Sequence, residues 1–163
     1  MAGLVAPAPN ADPAGAEIAA DGWFPPVKLE DIRAEIRAGN STITTERLTA
    51  AIEGAMLTGL RELARWRAAR IGEGAANLAQ VTADQLNGKN RAELLWQRIV
   101  RYYAAAELVD GHRDISATEE GLQRSEEQLE TADSYRRSAH DAVADLRSIG
   151  ADAPAPRQRV TLL

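Results

Sequence analysis

Apolar residues recur along this chain with a helical period, broken by short polar or glycine-rich stretches. Leu29, Ile32 and Ile36 share one face of a short helix predicted over 29–38, which Gly39-Asn40 terminates. A longer helix begins at Thr44 or Thr45, either of which can cap it, because a threonine hydroxyl accepts from the free amides of a first turn. Leu48, Ile52, Met56, Leu60, Leu63 and Ile71 then form the stripe of an amphipathic helix that stops at Gly72-Glu73-Gly74. Residues 72–89 read as a connector, with Leu78, Val81 and Leu86 as tethers to the core. A third helix is predicted over 90–109. Leu95, Ile99, Tyr102, Ala106 and Val109 make one stripe, and Trp96, Val100 and Tyr103 widen it, so this helix is expected at the centre, contacted on two sides. After a turn at Asp110-Gly111-His112-Arg113-Asp114, a fourth helix lies within 118–149. Its seam is Leu122, Leu129, Ala132, Ala139, Val143 and Leu146, interrupted by Ser125 and Arg136, which argues against a free coiled coil.

The two ends follow other rules. Residues 1–26 are rich in Ala, Pro and Gly, carry only Asp12, Glu17 and Asp21 as charges, and read as an extended arm lacking the apolar surface to order itself. Trp23-Phe24-Pro25-Pro26 closes the arm as an anchor, docked either on this chain's own core or on a neighbour. Beyond Gly150, the stretch Arg157-Gln158-Arg159-Val160-Thr161-Leu162-Leu163 has strand character. The expected fold is therefore all-α: a bundle of about four helices over 27–150, between an arm at 1–26 and a tail at 151–163. Trp23, Phe24, Arg157, Arg159, Val160, Thr161, Leu162 and Leu163 are the residues expected to bind a partner, the tail by strand addition to a partner sheet.

Composition narrows the chemistry. At 163 residues the chain suits one ordinary domain. A formal charge of -5 and a pI near 5.1 exclude a chain-wide basic field for nucleic acid, leaving only local patches. Without cysteine there is neither a disulfide framework nor a thiolate metal site. No run approaches the roughly 18 apolar residues that span a bilayer. The N-terminus lacks the regions of a secretory signal, so cytosolic synthesis and no membrane partner are expected.

Catalysis needs convergent groups, and few converge. Asp110, His112 and Asp114 sit at i, i+2, i+4 in a glycine-containing turn, the pattern of a polar loop, and no second cluster completes a metal site. The acidic run Glu119, Glu120, Glu126, Glu127, Glu130 and Asp133 fits a solvated helix opening. Gly72-Glu73-Gly74 follows a helix and lacks the Lys-Ser/Thr pair of a phosphate loop. No catalytic residue, cofactor or metal is expected. Arg61, Arg65, Arg67 and Arg70 form a basic cluster with Glu62 as its one nearby acid. Arg61 and Arg65 share a face, while Arg70 points elsewhere and Arg67 sits near the apolar stripe. Arg61, Arg65 and Arg70 are candidates for contact with DNA or an acidic subunit, beside the plainer reading as solvated or ion-paired side chains.

Several phrases carry a family resemblance. They are Arg47-Leu48, Ala51-Ile52 and Met56 leading to Trp66-Arg67 and Ile71, then the connector Leu78-Ala79-Gln80-Val81-Thr82-Ala83-Asp84-Gln85-Leu86-Asn87-Gly88 before the helix bearing Tyr102-Tyr103. Their order, over about residues 23–163, resembles the head completion protein family of Peduovirus-type contractile-tailed phages. The resemblance implies a virion protein: a head–tail adaptor forming a ring of its own copies beneath the portal, retaining packaged DNA and joining head to tail. Its implied partners are the portal protein, further copies of itself and tail or neck proteins, with DNA passing through without sequence-specific binding. It implies no catalytic residue. The reading from a different class is a small helical regulator that binds DNA or a protein partner.

Overall fold

The computed structural model describes residues 12–35, 43–111, 119–151 and 154–155, with the side chains of 35 and 119–130 outside the description. The elements run β1 (Glu17–Ile18), β2 (Val27–Lys28), α1 (Leu29–Glu35), α2 (Thr45–Gly72), a 3₁₀ turn (Leu78–Val81), β3 (Gln85–Leu86), β4 (Lys89–Asn90), α3 (Arg91–Asp110) and α4 (Glu119–Arg147). The fold is mostly helical rather than purely so, because two short antiparallel ladders, β1–β2 and β3–β4, accompany the helices.

Local chemistry sets the helix starts. Thr44 stays extended and accepts from the Arg47 amide to begin α2. Asn90 begins α3 by accepting from the Ala92 and Glu93 amides. Its side-chain nitrogen meanwhile donates to the carbonyls of Ala79 and Thr82 at 3.0 and 2.8 Å, so one residue caps a helix and ties down the connector. Between β3 and β4, Asn87 (φ 52°) and Gly88 (φ 72°) both take the left-handed conformation, which matches a two-residue hairpin turn to the twist of its strands.

Helix α3 packs against both α2 and α4, as its wide stripe predicts. Trp96, Ile99, Val100 and Ala104 are fully buried. On α2, Gly59 lies under Trp96: a Cβ there would stand 3.0 Å from the indole and 3.3 Å from Ile99, so the missing side chain lets the helices close up. Leu48, Ile52, Met56 and Leu63 face inward as expected. Leu60 is only half-buried and Ile71 is 47% exposed, because Ala51, Ala55, Gly59 and Trp66 take the inward positions. On α4, Ala132, Ala139, Val143 and Leu146 are buried. The expected seam residues Leu122 and Leu129, the interrupting Ser125, and Ile36 of the first helix lie outside the described side chains. In the connector Leu78 is buried and Val81 partly so, whereas Leu86 is 69% exposed at the hairpin and tethers nothing.

Residues 12–26 of the arm are among those described. They are packed on the body, with Glu17 paired to Lys28 and Ile18 to Val27. Four rings form a chain: Trp66 to Trp23 at 6.0 Å, Trp23 to Phe24 at 4.8 Å, and Phe24 to Trp96 at 4.3 Å. The first two contacts are edge-on, the arrangement aromatic quadrupoles favour. Each indole N–H donates to a main-chain carbonyl at 3.1 Å: Trp23 to Ala75, Trp66 to Ile149 and Trp96 to Pro25. Trp23 and Phe24 are 6% and 1% exposed, so they anchor this chain's own core. That is the first of the two placements the sequence left open, and it leaves these rings almost no surface for a partner.

A second clasp holds the arm's first described residue. Asp12 accepts from Arg33 Nε at 2.5 Å and Nη2 at 2.7 Å, and from the Thr45 hydroxyl at 2.7 Å. Arg33 Nη1 donates to the Ile43 carbonyl at 2.7 Å. The hydrogen bonds from Arg33 hold the Asp12 carboxyl below the usual carboxylate range against the opposing effect of its partial burial, with Thr45 and the guanidinium charge acting in the same lowering direction.

Two outcomes follow for the isolated chain. Leu63→Ala and Ile99→Ala, both at fully buried positions, should each lose about 2–5 kcal/mol in denaturant unfolding, and half-buried Leu60→Ala under about 2 kcal/mol. Equal losses at all three positions would contradict the packing of α2. A carboxyl depressed by folding stabilises the fold above its unfolded pKa, and that contribution fades as pH falls through the folded value. Asp12→Asn should therefore cost about 1–2 kcal/mol at pH 7, a deficit that shrinks below about pH 4. A deficit unchanged between pH 7 and pH 2 would remove the charge from this account.

Candidate assembly surfaces

The four arginines of α2 divide by what lies across from them. Arg67 pairs with Asp21 and holds its guanidinium 5.3 Å from the Trp23 ring and 5.5 Å from Phe24. Asp21 in turn accepts from the amides of Trp23 and Phe24 at 3.1 and 3.3 Å, so Arg67 clamps the turn that inserts the arm's aromatics. Arg70 donates to the Gly150 carbonyl at 2.5 Å and pairs with Glu73 at 2.9 Å, with its side chain only 12% exposed. It fastens the end of α4 to the end of α2. Both terminal nitrogens of Arg70, one of the expected contacts for DNA or another subunit, are thus engaged within the chain. Arg61 and Arg65 are exposed and make no ion pair among the described residues, and both remain on the surface of α2.

One polar cluster crosses the bundle. Tyr103 of α3 donates to Glu62 Oε1 of α2 at 2.9 Å, and His140 Nδ1 of α4 stands 3.2 Å from the same phenol oxygen. With the phenol O–H directed at Glu62, the histidine contact has the ring nitrogen donating. Burial first, then the adjacent Glu62 carboxylate, pushes the Tyr103 hydroxyl well above its ordinary pKa. A phenol held that firmly protonated is a poor acid, and the trio's evident work is to join three helices. Among the described residues no group of three or more His, Asp or Glu side chains could hold a metal ion. His112 and Asp114 lie outside the described residues, while Asp110 pairs with Arg136.

Other surface features are smaller. A cleft of about 190 Å³ opens between the β2–α1 segment and α3. Lys28, Lys89 and Arg101 line it together with Asp31. Lys28 is also 3.8 Å from Glu30. These two lysines are the chain's only ones, and sequence reading passed over them because they lie far apart in the chain. Leu57 is 69% exposed on the outer face of α2. Among the described residues no helix is long and apolar enough to cross a membrane. Past α4, the Ala155 amide donates to the Ser148 hydroxyl at 2.9 Å, turning the chain back toward the helix end. The expected tail contacts Arg157, Arg159, Val160, Thr161, Leu162 and Leu163 lie outside the described residues.

Comparison with known proteins bears on this surface inventory. The chain is similar to the head completion/stabilization protein of Escherichia phage P2, at 29% identity over 125 residues, covering 77% of this chain and 73% of that protein. No solved structure matches it. A family model described as phage head completion protein (GPL) matches residues 18–152, which takes in every described element but the first residue of β1. The chain belongs to the phage head completion protein family.

Proposed function

We propose that this chain is a structural subunit of head assembly in a tailed phage, an adaptor whose copies form a ring beneath the portal. The ring retains packaged DNA, joins head to tail and later lets the genome pass. The family match across residues 18–152 carries this reading. Its similarity to a protein named for head completion and stabilization points the same way.

The chain's geometry favours an adaptor over a DNA-reading regulator. A recognition helix presents several basic side chains to one groove. Here Arg67 and Arg70 are taken up by the chain's own arm and by the end of α4, which leaves Arg61 and Arg65. No catalytic step is assigned to the Tyr103–Glu62–His140 trio, whose contacts account for it as a tie between helices. With Trp23 and Phe24 buried in this chain, the tether to portal and tail proteins falls to 157–163. Arg157 and Arg159 suit an acidic surface, and Val160 to Leu163 suit strand addition, where main-chain hydrogen bonds give affinity and alternate side chains fix register.

Two measurements test this. Particles assembled without the chain should package DNA and then lose it, and should fail to acquire tails. Stable, tailed, full heads made in its absence would end the adaptor reading. Deleting 157–163 should leave the free protein's melting temperature within about 1 °C, yet abolish incorporation into portal-bearing heads. Normal incorporation of the truncated chain would show that the tail is not the tether.

A further inference from the structure

The outer face of α2 carries a pattern that the adaptor reading leaves unused. Leu57 stands 69% exposed there. Ala50 lies seven residues before it and Ala64 seven after, both exposed. Seven residues fall about 20° short of two helical turns, so the three lie almost in line along the helix. Small residues flank the one large apolar side chain. Glu53 lies four residues before Leu57 and Arg61 four after, also exposed. Four residues overshoot one turn by about 40°, which places the acid and the base on opposite sides of the line, each about 6 Å along the axis from Leu57. Neither makes an ion pair or side-chain hydrogen bond among the described residues. Arg67 and Arg70, by contrast, both find partners within the chain.

Such a face is complementary to itself when reversed. Laying a second copy of α2 antiparallel across the first, with the two-fold axis beside Leu57, sets each residue opposite the one equally far on the other side. Leu57 then meets Leu57, and each Ala50 meets Ala64 of the other copy. Arg61 of each copy meets Glu53 of the other, so two ion pairs close over one apolar centre. A parallel or shifted pairing loses this match, because it sets acid beside acid or leaves both charges unpaired. The alanines allow the close approach that ridge-into-groove packing of helices requires.

We infer that the free subunit pairs with a second copy of itself through the outer face of α2, antiparallel, with Leu57 at the two-fold axis. The inference goes beyond the adaptor reading and does not rest on it, since it concerns the chain before incorporation. A contact of about four helical turns buries less than the roughly 1,200–2,000 Å² of a standard stable interface, so the pair is weak and reversible. A two-fold contact closes on itself and adds no third copy, so it differs from the contacts of any ring.

The absence of cysteine makes the geometry directly readable, because an introduced thiol has no competitor. The full chain should show a monomer–dimer equilibrium by sedimentation. Glu53→Arg alone or Arg61→Glu alone should raise its dissociation constant about 10-fold, and the double reversal should restore it to within about 3-fold. On mild oxidation Leu57→Cys should form a disulfide dimer. Ala50→Cys and Ala64→Cys should each fail alone yet cross-link when mixed. All these positions are exposed, and unchanged melting temperatures will show that the fold is kept. A chain monomeric at about 0.5 mM, far above the micromolar range of weak specific pairs, overturns the inference. So does a dimer indifferent to both charge reversals, or a mixture of the two alanine variants that does not cross-link.

Discussion

Three indole N–H groups are buried or nearly so, and each must find an acceptor or forfeit about 1–3 kcal/mol. None finds it inside a helix, where carbonyls are already taken. Trp23 donates to Ala75 just past α2, Trp66 to Ile149 just past α4, and Trp96 to Pro25 in the arm. The acceptors are thus the carbonyls that irregular segments leave free. This requirement ties those irregular segments to the helices that carry Trp66 and Trp96. The ring chain from Trp66 through Trp23 and Phe24 to Trp96 supplies the apolar part of the same arrangement. Removing the arm would open the faces of α2 and α3 and orphan the Trp96 N–H.

The helices were legible because their determinants are local. Thr44, Asn90, Gly72 and the apolar period lie within a turn or two of what they specify. The Asn87-Gly88 pair was equally local, the standard sequence signal for a tight hairpin, and was passed over inside a stretch read as connector. Which of its two placements the arm takes is not legible, because its order depends on residues far away in sequence. Its aromatics need Trp66 and Trp96, Asp21 needs Arg67, and Asp12 needs Arg33 and Thr45. Composition alone sees prolines and alanines there and reads disorder. The inward face of α2 was misjudged for a related reason. A stripe counted from large apolar residues ranks Leu60 and Ile71 as core, while Ala51, Ala55 and Gly59 make the contacts that set helix spacing.

Arginine function shows the same division. Spacing on one helix separates faces, and puts Arg61 and Arg65 on a different side from Arg70. It cannot reveal an acceptor 80 residues away such as the Gly150 carbonyl, or an aspartate 46 residues back such as Asp21. A basic cluster in sequence thus becomes two clamps and two surface charges in the fold. The clamps hold the arm and the end of α4 against the bundle. Arg61 and Arg65 remain exposed on the surface of α2, where Glu53 is exposed as well.

That neighbourhood separates two kinds of association. A ring requires a contact between unlike faces, since each copy must use one surface toward the copy before it and another toward the copy after. The α2 face, with Glu53 and Arg61 equally far on either side of Leu57, is matched to itself and so suits pairing alone. A chain with only unlike faces would grow rings or filaments wherever its concentration allowed. A self-matched face on the same helix offers a competing, closed state at equal concentration. Assembly then needs a platform that presents many ring contacts at once, because one weak pair is readily outcompeted by several simultaneous contacts. On the two readings proposed above, the free subunit would exchange between monomer and weak pair in solution, and its ring would form where the platform stands.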